Sequence, residues 1–424
     1  MSTGALPGFR DFFPTELAAR SVIFATWRDV ARRYGFVEYD GPPLEPLELY
    51  TRKSGEEIVG QLYNFVDKGG REVALRPEMT PTLARMAGAR ANSLRKPVRW
   101  FSIPQLFRYE RQQRGRLREH FQLNVDIIGE PSSTADAELL SVAIDIMRAF
   151  GLTPRDVVAR VSDRRILQGY LAAIGVADDA LPAAFAVIDK LDRQPAAVSD
   201  EKLAAAGIAA DARAAILHLP DASLDEIAER LVGTPVEGVM QEFRSYLEYL
   251  EALGVIDWVK VDFAIVRGLA YYTGIVFELF DARGELRAIC GGGRYDDLLR
   301  ALGGADLPAL GFGMGDVVLG ELLRDRGLLP DTASRLDTWV AYGEDAAIHD
   351  AMRVASRLRG RGRSVEYALG GQKLARQLKA AAAAGAAEAV ILTAAAMAGG
   401  EAVVRRLADG EERHLPLDEW IGDR

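Results

Sequence analysis

The chain has 424 residues, 49 % hydrophobic and 27 % charged, with a formal net charge of -9 at pH 7, which is too long for one ordinary core and has the composition of a soluble globular protein of two or three domains. The single Cys290 and four histidines exclude a disulfide framework and give no zinc-ligand spacing, so no structural metal is expected. No run nears the roughly 20 apolar residues of a membrane span and no basic-then-apolar leader opens the chain, so a cytoplasmic protein is expected, with no membrane partner and only focal contact with nucleic acid.

In chain order, Gly8 to Leu17 reads as a loop around Pro14. From Glu16 to Tyr34, apolar Val22, Ile23, Trp27, Val30, Ala31 and Tyr34 recur at helical spacing, and Gly35 ends the run. Phe36 to Glu45 reads as a short strand broken by two prolines, which sheets tolerate at edges. Two strand-like pieces around Tyr63 and Val73 precede Leu75 to Pro81, where Arg76, Glu78 and Thr80 alternate before a helix from about Thr82.

The segment Phe107 to Gly129 reads as a β-hairpin. Apolar Phe121, Leu123, Val125 and Ile127 alternate with His120, Gln122, Asn124 and Asp126, the period of a strand with one polar face. Arg108 and Glu110 share parity on the preceding run, and Arg111, Arg114, Arg116 and Arg118 crowd the tip. Planar guanidinium forks suit phosphate and nucleic-acid backbone, although charge runs are also common on solvated surfaces.

Ser133 to Asp136 has the form of a capping box and opens a helix through Phe150, closed by Gly151. From Pro154 to about Asp257 the composition shifts to Ala, Leu, Asp and Arg with helical periodicity, which predicts an inserted helical module. Strand chemistry resumes at Val259 and runs through VRGLAYYTGIVFE and ICGGGRYDDLL. Gly291, Gly292 and Gly293 permit close backbone approach to a ligand, although a glycine-rich turn without a phosphate-loop signature is more often just a turn. Gly311 to Leu323 starts glycine-rich and ends as an apolar helix. A boundary is expected near Leu328 to Asp337. Beyond it, strands at Thr338 to Tyr342, Val365 to Ala368 and Ala389 to Thr393 alternate with helices, which predicts a small α/β domain with a largely parallel sheet.

Taken together, LRPEMT, the basic hairpin, VRGLAYY and ICGGGRYDDLL resemble the motifs of class II aminoacyl-tRNA synthetases, and of the histidyl-tRNA synthetase family in particular, over nearly the whole chain. The resemblance implies an α+β catalytic domain over 1–328, an antiparallel sheet flanked by helices, with 154–257 as the helical insertion. The α/β domain over 337–424 then resembles an anticodon-binding domain. It implies a homodimer, with Pro42 at the interface, that uses ATP together with Mg2+ to turn L-histidine into histidyl-adenylate and passes it to the 3′ end of tRNA-His; no tightly bound cofactor is implied.

Residue by residue, the resemblance makes Arg267 and Arg108 catalytic, beside the α-phosphate. Glu78, Met79, Thr80, Gln122, Asp126, Tyr271 and Tyr272 fall at histidine-binding positions. Arg108, Glu110, Arg116 and Arg294 fall to ATP, and Arg111, Gln113 and Arg114 to the tRNA acceptor end. The chain departs from the family pattern at Ala270 and Asp126, where Asp and Glu are usual, and at Val317 and Val318, where an acidic residue and an ATP-gripping arginine are usual. Either Arg116 or Arg294 compensates, or the protein no longer activates an amino acid. The alternative is thus a non-catalytic histidine sensor resembling the regulatory subunit of ATP phosphoribosyltransferase, and a third reading is a synthetase-like domain with another substrate. The intact basic hairpin and the full C-terminal domain favour the enzyme.

Overall fold

The computed structural model describes residues 4–54, 56–109, 115, 117–266, 272–302, 305–329, 336–343 and 348–416. Two compact units divide the chain, Met1–Asp11 with Arg20–Leu329, and Phe12–Ala19 with Pro330–Arg424.

The elements of the first part begin with α1 (Pro14–Arg33), β1 (Val37–Glu38), β2 (Leu44–Pro46), α2 (Glu48–Ser54), β3 (Asn64–Val66), β4 (Glu72–Leu75) and α3 (Thr80–Arg90). Next come β5 (Val98–Ser102), β6 (Gln105–Phe107), β7 (Glu119–Ile128), α4 (Ser133–Ala149) and β8 (Val157–Asp163). Six helices follow: α5 (Arg164–Ala173), α6 (Leu181–Ile188), α7 (Ala196–Ala205), α8 (Ala210–His218), α9 (Leu224–Leu231) and α10 (Glu237–Ala252). The chain then returns through β9 (Val259–Val261), β10 (Ile275–Asp281), β11 (Cys290–Arg294), α11 (Leu298–Ala301), β12 (Ala309–Gly315) and α12 (Asp316–Asp325).

These strands build a 9-stranded sheet in the order β1-β5-β7-β12-β11-β10-β8-β9, with β6 paired to β7. Its interior is antiparallel, as the resemblance implies, while the end pairs β1–β5 and β8–β9 are parallel. A small 3-stranded sheet, β2-β4-β3, stands apart from it. On one face of the large sheet, α4 buries Leu139, Leu140, Ala143, Ile146 and Met147, a stripe at helical spacing that packs on Leu123, Val125 and Ile127 of β7 within one core. Trp27 of α1 and Phe243, Tyr246 and Leu250 of α10 belong to the same core.

Two sequence expectations change here. The stretch read as a helical insertion opens with a strand of the large sheet, next to its β9 edge, because Val157, Ala159 and Val161 alternate inward and β8 pairs with β10 from Val157↔Asp281 to Asp163↔Ile275. The helices after it share the main core instead of forming one of their own. The glycine-rich run at 291–293 is a central strand of the sheet and not a turn, and the glycine-rich start of the 311–323 segment is the strand beside it.

The second unit carries β13 (Thr338–Tyr342), α13 (Ile348–Gly360), β14 (Val365–Tyr367), α14 (Leu374–Ala383), β15 (Glu388–Leu392), α15 (Ala394–Ala398), β16 (Glu401–Arg406) and β17 (Glu412–Pro416). Strand β13 lies parallel to β14 and β15, and an antiparallel pair, β16 and β17, extends the sheet beyond the three strands expected. Val340, Val354, Leu358, Val390 and Val404 fill its core. The buried Gln377 ties α14 to β13, accepting from the Tyr342 N–H at 3.1 Å and donating to the Tyr342 carbonyl at 2.9 Å.

Candidate functional site

The polar face of β7 is the floor of a cleft of about 1540 Å³, lined by Glu78, Thr80, Arg108, Gln122, Asp126 and Tyr272 among others. A floor of side chains needs a neighbouring strand that carries none. The register supplies it, since Gln122, Asn124 and Asp126 pair with Gly315, Gly313 and Gly311 of β12. A Cβ at Gly311 would lie 2.1 Å from Oδ1 of Asp126, and one at Gly313 would lie 2.7 Å from Cδ of Gln122. On β11, a Cβ at Gly293 would come within 3.0 Å of the Tyr272 ring. Glycine costs roughly 0.5–1 kcal/mol in a strand interior, and here it makes room for the polar side chains.

Asp126 is buried, and its Oδ1 accepts a short hydrogen bond from the Tyr295 hydroxyl. Burial pushes its carboxyl up to about 7, against the lowering effect of that hydrogen bond. The Tyr272 ring lies 6.5 Å from that of Tyr295. The sequence pattern assigns Tyr295 no role; its place two residues past the last glycine of GGGRY is the signal it offers.

One wall is the loop carrying Glu78 and Thr80, and it is pinned from two sides. The buried Arg76 donates from Nη1 to Asp40 at 2.7 Å and to the Gly41 carbonyl at 2.7 Å, and from Nε to the Gln105 carbonyl at 3.1 Å. Arg108 donates from Nε to the Pro77 carbonyl at 3.0 Å. The hairpin base is held by Arg10, which donates from Nε to Glu119 at 2.6 Å and from Nη1 to Asp316 at 2.9 Å. Asp316 also accepts from the Phe121 N–H at 2.9 Å, so the start of α12 is locked to β7. Arg10 lay in a stretch read as loop, and nothing in its local pattern announced these distant partners.

Two of the expected site residues are placed elsewhere. Met79 is fully buried beneath the loop, because the chain turns its side chain into the core as Glu78 and Thr80 face the cleft. Arg294 does not line the cleft; it is buried, and donates to Asp136 at 2.5 Å and to the carbonyls of Glu130 and Ser132 at 3.0 and 3.1 Å. Burial pushes the Asp136 carboxyl up to about 6 in spite of the arginine beside it. The expected capping box gives way to this pair: Ser132 is the N-cap, without a side-chain cap bond, and Asp136 holds Arg294. Arg267, Tyr271, Glu110, Arg111, Gln113, Arg114 and Arg116 lie outside the described residues. Among the described residues, no group of three or more His, Cys, Asp or Glu side chains is arranged to hold a metal ion.

A carboxylate, a hydroxyl and an amide from Glu78, Thr80 and Gln122 suit an ammonium group. The Asp126–Tyr295 pair beside Tyr272 suits a flat ring bearing an N–H, and Arg108 suits an anion.

Residues 8–315 match the family model for histidyl-tRNA synthetase, and residues 338–422 match that for the anticodon binding domain. The chain is 44 % identical to a histidine–tRNA ligase of Opitutus terrae, over 98 % of this chain and 96 % of that protein. It is 41 % identical to the chloroplastic/mitochondrial histidine–tRNA ligase of Arabidopsis thaliana, over 97 % of this chain and 85 % of that one. Among solved structures, the histidyl-tRNA synthetase of Nostoc sp. PCC 7120 superposes with a TM-score of 0.85 at 25 % identity, covering 99 % of this chain and 98 % of that one.

Two predictions follow from the buried acids. With a folded-state value raised to about 7, Asp126 favours the folded chain when protonated, a contribution complete below the ordinary carboxylate value and lost as pH rises through about 7. Asp126→Asn is therefore expected to melt about 2 °C above the native chain near pH 8, with the gap closing toward about pH 5; a gap that does not vary with pH would contradict a buried, titrating Asp126. Arg294→Ala leaves Asp136 buried without its partner and should lower stability by about 3 kcal/mol or more in urea denaturation. Native stability in that variant would refute a structural role for the pair.

Proposed function

The chain belongs to the histidyl-tRNA synthetase family, and we infer that it activates L-histidine with ATP to histidyl-adenylate and pyrophosphate, then transfers the histidyl group to the 3′ end of tRNA-His. The observation that carries this reading is the meeting of Glu78, Thr80, Gln122, Asp126, Tyr272 and Arg108 in one cleft. Glu78, Thr80 and Gln122 take the α-ammonium, while Asp126 accepts from the ring N–H and Tyr272 closes over the imidazole.

In the first step a carboxylate oxygen of histidine attacks the α-phosphorus, a P–O bond forms, and the bond to the β-phosphate breaks. Negative charge moves to the departing pyrophosphate, so cations held in place beforehand lower the barrier. Arg108, whose Nε is fixed on the Pro77 carbonyl at 3.0 Å, can offer its other guanidinium nitrogens to the carboxylate and α-phosphate. Arg267 is proposed as the second cation at that phosphate, and Tyr271 as a neighbour of the ring; Mg2+ entering with ATP supplies further positive charge. In the second step a ribose hydroxyl of the terminal tRNA nucleotide attacks the acyl carbon and AMP leaves. Arg111, Gln113 and Arg114 are proposed to meet the acceptor end, and Glu110 and Arg116 to meet ATP.

The proposal includes a homodimer, supported by the exposed apolar side chains of Val37 on the end strand of the large sheet and of Phe65 and Val66 on the small one. It also includes recognition of the anticodon by the second unit and the cytoplasmic setting expected from the sequence.

Purified protein should catalyse histidine-dependent exchange of pyrophosphate into ATP, and Arg267→Ala should lose about 100-fold in kcat/KM with little change in histidine affinity measured by calorimetry. Histidine binding without exchange in the native chain would replace the enzyme reading with that of a histidine sensor.

A further inference from the structure

A cleft that takes a polyphosphate needs cations along its length, because each desolvated phosphate oxygen left without one is an uncompensated charge. Along β7 the order Asp126, Asn124, Gln122, His120 runs from the buried acid toward the hairpin tip, roughly 20 Å at ~3.3 Å per residue. If Asp126 and Gln122 hold the amino acid, the pyrophosphate end of ATP extends toward the tip. At that end β12 runs into α12, and what it offers to the cleft is two valines, Val317 and Val318. Neither can balance a phosphate.

The adjacent strand delivers an arginine to the same corner. Strands β11 and β12 are antiparallel, with Cys290 opposite Met314. Following both chains outward from that pair leads to Arg287 on one side and Val317 on the other. Gly115, at the hairpin tip, marks where they meet: a Cβ there would lie 3.4 Å from Cγ2 of Val318 and 3.7 Å from Cδ of Arg287. Gly115 has a φ of 72°, a conformation glycine adopts without strain, and it adds no side chain of its own between the valine and the arginine. Arg287 is exposed at the cleft and lines it. Of the other arginines on these strands, Arg160 pairs with Asp192 at 2.6 Å and lies 4.7 Å from the Phe280 ring centre, and Arg294 is buried against Asp136.

We propose that Arg287 binds the pyrophosphate end of ATP, reaching from the β10–β11 connection into the corner that Val318 leaves uncharged. This rests on the reading that the cleft takes ATP. The guanidinium fork can donate two parallel N–H bonds to phosphate oxygens, and its position on a connection allows it to follow the pyrophosphate as the α–β bond breaks.

The test compares pyrophosphate exchange by the native chain, Arg287→Ala, Arg287→Lys and the double variant Arg287→Ala/Val318→Arg, with histidine and ATP varied separately. The KM for ATP should rise about tenfold or more in Arg287→Ala, the scale of one charge-assisted hydrogen bond, with that for histidine nearly unchanged. Arg287→Lys should fall between, and the double variant should recover most of the loss because it places a guanidinium at the same corner from α12. An unchanged KM for ATP, or an equal rise for both substrates, would overturn the proposal. Calorimetric titration with ATP separates this inference from the reading it rests on. If the native chain binds ATP without exchange and Arg287→Ala weakens that binding, Arg287 keeps its role and activation fails. If the native chain does not bind ATP, both fall.

Discussion

The cleft depends on one steric constraint, that the strand beside β7 carries no side chains where β7 carries polar ones. Gln122, Asn124 and Asp126 face Gly315, Gly313 and Gly311, and a methyl group at Gly311 would overlap the Asp126 carboxylate. Everything else at the site is arranged around that floor. The LRPEMT loop is pinned against it by Arg76 and Arg108, and the base of the hairpin is fixed by Arg10 through Glu119 and Asp316. A sheet interior would ordinarily be filled by branched apolar residues. Here packing is given up for space, and the apolar core lies on the opposite face, under α4.

The same floor explains why Asp126 is an expensive residue. Its carboxyl is buried, with the Tyr295 hydroxyl donating to it, and burial outweighs that bond in setting its protonation. A ring N–H entering the cleft would supply the second partner, so the acid is better satisfied with ligand than without. A buried acid that gains a partner from one ligand and not from another discriminates against side chains that cannot pair with it. Arg294 and Asp136 show the opposite case, a buried pair that satisfies itself and holds the start of α4 against β11.

Much of this was legible in the sequence where periodicity carries the signal. The alternation from His120 to Ile127 identifies both the strand and its polar face, and the helical stripe from Ile23 to Ala31 identifies the first helix. Motif resemblance placed Glu78, Thr80, Arg108, Gln122, Asp126 and Tyr272, which the fold brings into one cleft. The misreadings share a cause, in that each residue is explained by a partner distant in sequence. Glycines at 291–293 have turn propensity, and only the neighbouring strands' side chains show why they form a strand. Asp136 imitates a capping residue, but its partner is 158 positions away. Arg10 and Tyr295 are likewise explained by residues 109 and 169 positions away. In VVARVSD the alternation is present, but it is short beside the helical composition that follows it.

The account turns on the bare face of β12, and calorimetric titration of L-histidine into the native chain and Gly313→Ala tests it most directly. The added methyl would stand 2.7 Å from Cδ of Gln122, a flexible side chain able to move without unfolding the sheet. The account predicts that the native chain binds histidine and that Gly313→Ala, with its melting transition retained, binds it about tenfold or more weakly. Equal affinity in the two proteins would contradict it.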